Sequence, residues 1–66
     1  MNIILNGREF QIPPGATIAT LIQLRQIKTP AYAVERNKQV IPRKLHDSTP
    51  LAEGDRIEIV VAVGGG

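Results

Sequence analysis

Three consecutive glycines, Gly64-Gly65-Gly66, close the sequence directly behind the apolar run Ile57-Glu58-Ile59-Val60-Val61-Ala62-Val63. Glycine continues a strand poorly, because it loses much conformational entropy and has no side chain to pack. At a chain end it presents a bare carboxylate on a thin stalk that fits a slot too narrow for any side chain. The simplest chemistry for such an end is acyl chemistry at the carboxylate of Gly66, with Gly64 and Gly65 as the tail that enters a partner's active site. Taken alone, the same residues also describe a frayed terminus. One other pair has chemical potential, the adjacent His46 and Asp47. No Ser or Cys stands in a motif that this pair would serve, so it reads as part of a solvated loop.

Composition removes most other functions. At 66 residues the chain is one domain that buries only about 60% of its unfolded surface. That leaves no room for an enclosed site with several catalytic side chains, so an enzyme is not expected. With no cysteine, disulfides, thiolate metal sites, a cysteine nucleophile and an iron–sulfur cluster are all excluded. The net charge of +2 is modest, and Arg25, Lys28, Arg36, Lys38, Arg43 and Lys44 are scattered rather than blocked. One Tyr and one Phe are too few aromatics to stack on bases, so no nucleic-acid partner is expected. No apolar stretch approaches the roughly 20 residues of a membrane span, and Met1-Asn2-Ile3-Ile4-Leu5 lacks the features of a signal peptide. A soluble cytoplasmic protein, monomeric when free, is the expectation, with no bound cofactor and no metal.

The elements that must position the glycines follow from pattern. Ile3-Ile4-Leu5 and Glu9-Phe10-Gln11-Ile12 flank Asn6-Gly7, the strongest short hairpin signal, and Pro13-Pro14-Gly15 ends the second strand. Thr17 is a good N-cap, its hydroxyl placed to accept the N–H of Thr20. Ile18, Leu21 and Ile22 fall on one helical face, and the helix must stop before Thr29-Pro30. Two short strands, Tyr32 to Arg36 and Gln39 to Ile41, flank a turn at Asn37-Lys38, and Arg43 to Pro50 reads as polar and irregular. Leu51 to Asp55 is a turn whose Gly54-Asp55 delivers the chain into the last strand, Arg56 to about Ala62, the most apolar segment. Its continuous run predicts burial on both faces, centrally in a sheet. The order predicts an α+β fold, the ubiquitin-like β-grasp: a mixed sheet of about five strands, the first and last paired in parallel, with one main helix on one face. Residues 1–66 are then a single domain with a flexible tail at 63–66.

Ala33-Val34-Glu35-Arg36-Asn37, Val40-Ile41-Pro42-Arg43, Leu51-Ala52-Glu53-Gly54-Asp55-Arg56-Ile57-Glu58 and Val63-Gly64-Gly65-Gly66 together resemble the ThiS-like sulfur carrier proteins of bacterial thiamine biosynthesis, as does Gly15-Ala16-Thr17-Ile18 with Leu21 and Ile22. The resemblance covers nearly the whole chain in order and spacing. It implies that a ThiF-like adenylating enzyme uses ATP to activate the carboxylate of Gly66. A sulfur donor fed by a cysteine desulfurase then displaces AMP and leaves a thiocarboxylate. A ThiG-like thiazole synthase takes that sulfur while building the thiazole phosphate. The chemistry fits: a carboxylate's leaving group would be oxide, and the mixed anhydride with AMP supplies a better one. Without Cβ atoms, Gly65 and Gly66 approach the α-phosphate closely, and 63–66 reach about 13 Å when extended at roughly 3.3 Å per residue.

If Ile57, Ile59 and Val61 pack on the helix, Val60 and Ala62 lie on the open face near the tail, an apolar patch suited to partner docking or covered by neighbouring strands. Arg36 and Arg43 are candidates to meet acidic partner surfaces or simply to be solvated. The sulfur carrier subunit of molybdopterin synthase is the nearest alternative. That family resembles this one but carries aromatic and proline residues before its glycines, where this chain has Val61-Ala62-Val63. A ubiquitin-like tag joined to lysines and a β-grasp binding module that needs no free glycine end are the remaining alternatives.

Overall fold

The computed structural model describes residues 1–62. The expected tail at 63–66, with the chemistry assigned to Gly64, Gly65 and Gly66, lies outside the described residues. The chain forms β1 (Asn2–Leu5), β2 (Arg8–Gln11), α1 (Ile18–Leu24), β3 (Tyr32–Arg36), β4 (Gln39–Val40) and β5 (Arg56–Val61), with a 3-10 turn at Arg43–Leu45. The sheet order is β2-β1-β5-β3-β4. β1 and β5 are parallel, and the other neighbours are antiparallel. This is the expected β-grasp.

Both hairpins close in two residues with positive φ, Asn6 (50°) with Gly7 (83°) and Asn37 (51°) with Lys38 (71°). That double left-handed geometry matches the twist of the flanking strands. Helix α1 starts where Thr17 places it. The Thr20 N–H donates to Thr17 Oγ1 at 3.3 Å while the Thr17 N–H donates to Thr20 Oγ1 at 3.1 Å, a reciprocal capping box with threonine in the usual Glu/Gln position.

The helix ends earlier than Pro30 demands. Gln26 turns left-handed at φ 56°. Its N–H donates to Gln23 O at 3.0 Å and the Ile27 N–H to Ile22 O at 3.2 Å. This is a Schellman ending, and Ile27 folds back onto the core. The stop is therefore local.

The core is one layer between α1 and one face of the sheet: Ile18, Leu21 and Ile22 against Ile3, Leu5, Val34, Ile57 and Ile59. The expectation that β5 is buried on both faces is corrected, since only Ile57 and Ile59 are buried while Glu58 and Val60 are exposed. β5 is central in the sheet, but among the described residues a helix covers one face of the sheet and nothing covers the other.

The segment from Arg43 to Pro50 exposes most of its side chains, as a polar loop should, but its backbone is anchored and His46 is not solvated. Its carbonyls serve the unpaired N–H groups at the start of α1. Ala19 N–H donates to His46 O at 3.0 Å and Ile18 N–H to Thr49 O at 3.2 Å, which pins the segment over the helix start. His46 is buried there, its Nε2–H donating to Ile41 O at 3.0 Å. Among the described residues no helix is long and apolar enough to cross a membrane.

Candidate functional site

The chain reaches its glycines through β5, so the site is first a question of how β5 is mounted. At its start, the Ile4 N–H donates to Asp55 O at 2.8 Å and the Asn6 N–H to Ile57 O at 2.9 Å, the slanted ladder of a parallel pair. β1 then leaves the sheet, because the chain reverses at Asn6-Gly7 into β2. The side chain of Asn6 continues the ladder in its place. The Ile59 N–H donates to Asn6 Oδ1 at 2.8 Å, and Asn6 Nδ2 donates to Ile59 O at 3.3 Å. A side-chain amide carries one donor side and one acceptor side, as a peptide group does.

On the other edge, β3 pairs with β5 from Arg36↔Ile57 to Tyr32↔Val61, and the Ala62 N–H donates to Ala31 O at 2.8 Å. Asn37 grips the first residue of β5 much as Asn6 grips Ile59. The Asn37 N–H donates to Arg56 O at 2.7 Å and the Arg56 N–H to Asn37 Oδ1 at 2.9 Å.

Beneath that grip sits Asp55, buried. Its Oδ2 accepts from Ala52 N–H at 2.8 Å and Arg36 Nε at 2.9 Å, and its Oδ1 accepts from Asn37 Nδ2 at 3.2 Å. Burial alone pushes this carboxyl up. The Ala52 N–H, the Asn37 amide and the Arg36 guanidinium together outweigh that push and hold it below its ordinary value.

Val60 and Ala62 lie exposed, Val60 at 65%, the open-face placement of the two that the sequence left open. By strand parity they share the open face with Ala33, opposite Val60, and with Val40, opposite Glu35. Val61, expected on the helix, is 38% exposed, because it lies past the last residue of β5 that the helix layer covers.

The two arginines offered as partner contacts are engaged internally. Arg36 pairs with Asp55. Arg43 Nη2 donates to Pro30 O at 2.7 Å and Tyr32 O at 2.9 Å, with its guanidinium 4.1 Å from the centre of the Tyr32 ring. His46 is spent on burial and its bond to Ile41, while Asp47 is exposed. Among the described residues no three His, Cys, Asp or Glu side chains gather as metal ligands. Sequence reasoning missed the second use of Asn6 and Asn37 and the whole Asp55 cluster. The only signal was that each lies at a turn flanking the last strand.

The model of the ThiS family matches residues 3–66. A thiazole synthase from Magnetococcus marinus is 38% identical over 66 residues, and one from Paramagnetospirillum magneticum 30% identical over 66. The match takes in all of this chain, which spans only 20% of either relative's length. The sulfur carrier protein ThiS of Bacillus subtilis is 36% identical over 63 residues, covering 94% of this chain and 96% of that one. The crystal structure of the thiamine biosynthesis protein ThiS from Geobacter metallireducens superposes with a TM-score of 0.84 at 26% identity, covering both chains fully.

Proposed function

The chain belongs to the ThiS family, and from that membership we propose that it carries sulfur as a thiocarboxylate on Gly66 for the building of a thiazole. An adenylating enzyme joins the Gly66 carboxylate to the AMP portion of ATP with loss of pyrophosphate. The outer sulfur of a persulfide supplied through a cysteine desulfurase attacks the acyl carbon and AMP leaves; a thiol then attacks the far sulfur of the resulting acyl disulfide, forming a disulfide with the donor and releasing the thiocarboxylate. A thiazole synthase then takes its sulfur. The protein acts as a cosubstrate in the cytoplasm and is not itself the catalyst; ATP is spent by the partner.

The observation that carries this reading is the near end-to-end similarity to the Bacillus sulfur carrier, together with a family match that runs through residue 66. The two relatives described as thiazole synthases hold a stretch like this chain within a polypeptide about five times longer. That supports thiazole synthase as the receiver of the sulfur. The open-face patch of Val60 and Ala62 beside the tail is the proposed docking surface for these partners. Its apolar residues are exposed and lie within a few positions of the glycines in the chain.

Intact-protein mass spectrometry tests the reading after incubation with ATP, the adenylating enzyme of the same organism, a cysteine desulfurase and cysteine. The expected result is exchange of one oxygen for sulfur, localised to Gly66 and absent from a chain lacking Gly65 and Gly66. No exchange, with an adenylating enzyme shown to work on a known carrier, refutes it. The synthase that accepts the sulfur identifies the product as thiazole or molybdopterin.

A further inference from the structure

Alternation along β5 fixes which backbone groups face which edge. The C=O of Arg56 and the N–H of Ala62 face β3, whereas the C=O of Ile57 and both polar groups of Ile59 face the β1 side. Val61 has the parity of Ile59, so its N–H and C=O also face the β1 side. There β1 has already turned away at Asn6. The parallel register ends at Leu5↔Ile57, and the Asn6 amide reaches no further than Ile59. Among the described residues no strand or side chain pairs with Val61 on this side. β5 therefore has one covered edge and one edge open at its last residue, immediately before the segment that bears the carboxylate.

We propose that this open edge receives an extended backbone segment of the adenylating partner, added to the sheet beyond Asn6 and hydrogen-bonded to Val61. The inference rests on the carrier reading above and adds how the partner grips the chain. Three observations select this occupant. Val61 lies five residues before Gly66, about 17 Å of extended chain, so an enzyme holding the carboxylate at ATP works within that distance of this edge. The exposed side chains at the edge, Val60 and Val61, suit a segment with apolar residues on both faces. A depression that starts at Asn6 and runs onto β2 and the end of α1 carries Arg8 and Arg25 against one opposing charge, Glu9, so an acidic residue where the added segment abuts Asn6 is complementary. The recognition is β-addition, in which main-chain bonds supply affinity and alternate side chains supply specificity.

An amide-to-ester exchange that removes the Val61 N–H, and weakens the Val60 carbonyl facing β3, tests this in the full chain made by chemical ligation, with N-methylation at Val61 as a second variant that keeps the Val60 carbonyl an amide and also blocks the edge sterically. Thermal unfolding of the ester variant is expected to fall only slightly, through the weaker Val60 carbonyl. The KM for the chain in ATP–pyrophosphate exchange by the adenylating enzyme of the same organism should rise roughly three- to tenfold, the loss of one hydrogen bond, with kcat retained and a larger rise for the N-methyl variant. An unchanged KM in both variants, with the parent activated normally, overturns this inference and leaves the carrier reading intact. A parent that is not activated overturns both. A larger stability loss, matched in the N-methyl variant, shows that the Val61 N–H already has an internal partner, and overturns the inference. Self-association of the parent that the ester abolishes assigns the edge to a second copy instead.

Discussion

Replacing Asp55 by asparagine removes one charge and swaps one acceptor for a donor while preserving the shape of the side chain. Three donors converge on this carboxylate, two on Oδ2 and one on Oδ1. If the new NH2 group takes the Oδ2 position it faces both the Ala52 N–H and Arg36 Nε. If it takes the Oδ1 position it faces only Asn37 Nδ2, the cheaper choice. Asn37 cannot turn its own amide in compensation, because its Oδ1 is held by the Arg56 N–H. One hydrogen bond to a charged group is lost, worth about 1.5–3 kcal/mol. The ion pair adds at most about 1 kcal/mol, since the Arg36 side chain is 31% exposed and screened by water. The expected cost is about 1.5–4 kcal/mol, against a total stability of roughly 3–10 kcal/mol for a chain of this length.

The same cluster makes stability depend on acid. The Asp55 carboxyl is held below its ordinary value when folded. Its contribution is therefore complete above the unfolded value near 4 and disappears as pH falls through the lower folded value. Urea unfolding followed by far-UV circular dichroism, at pH 7 and in steps from pH 5 downward, reads both effects. The parent should lose stability below about pH 4 more steeply than Asp55→Asn. A variant within about 0.5 kcal/mol of the parent at pH 7, or one whose acid profile runs parallel to it, refutes the reasoning.

Asn6→Gly keeps a residue at ease with positive φ in the first hairpin but removes both bonds to Ile59. It should cost about 1–3 kcal/mol and speed hydrogen exchange at the Ile59 amide; exchange as slow as in the parent means that the side chain does not carry the ladder. Val60→Glu alters a side chain that is 65% exposed. Stability should stay within about 0.5 kcal/mol while the KM for adenylation rises several-fold. An unchanged KM places docking on another surface.

Much of the fold is legible wherever local chemistry and pattern agree. Asn6-Gly7 supplies the two left-handed residues that a two-residue hairpin requires, Thr17 supplies an acceptor where α1 needs one, and Ile18, Leu21 and Ile22 mark its buried stripe. The discrepancies have a common physical form. Gln26 ends the helix in a conformation that glycine usually provides, so the nearest loud signal, Pro30, points too far along the chain. Arg43 to Pro50 looks solvated by its side chains, yet its backbone is what holds it down. It pairs with N–H groups at the start of α1 from more than twenty positions away. The apolar continuity of β5 reads as two-sided burial, but Val60 and Ala62 on its open face have no second layer to cover them.

The glycine end proposed to react is plain in the sequence, and the mounting of the strand before it is not, because the residues that mount β5 have a second and more visible occupation. Asn6 and Asn37 both read as turn formers, and both are turn formers. The property that admits asparagine to a left-handed turn is its short polar side chain. In this chain the same side chain also pairs like a peptide group with a neighbouring strand. Which strand it meets is decided across 53 residues for Asn6 and 19 for Asn37, a relation that no local pattern encodes. Glycine and asparagine are interchangeable at position 6 if the turn is all that matters. They differ by a whole rung of the ladder if β5 must be held to within two residues of its open end. The turn therefore limits how far the edge of β5 is covered: Asn6 reaches Ile59 and stops, and the uncovered Val61 follows from the length of one side chain.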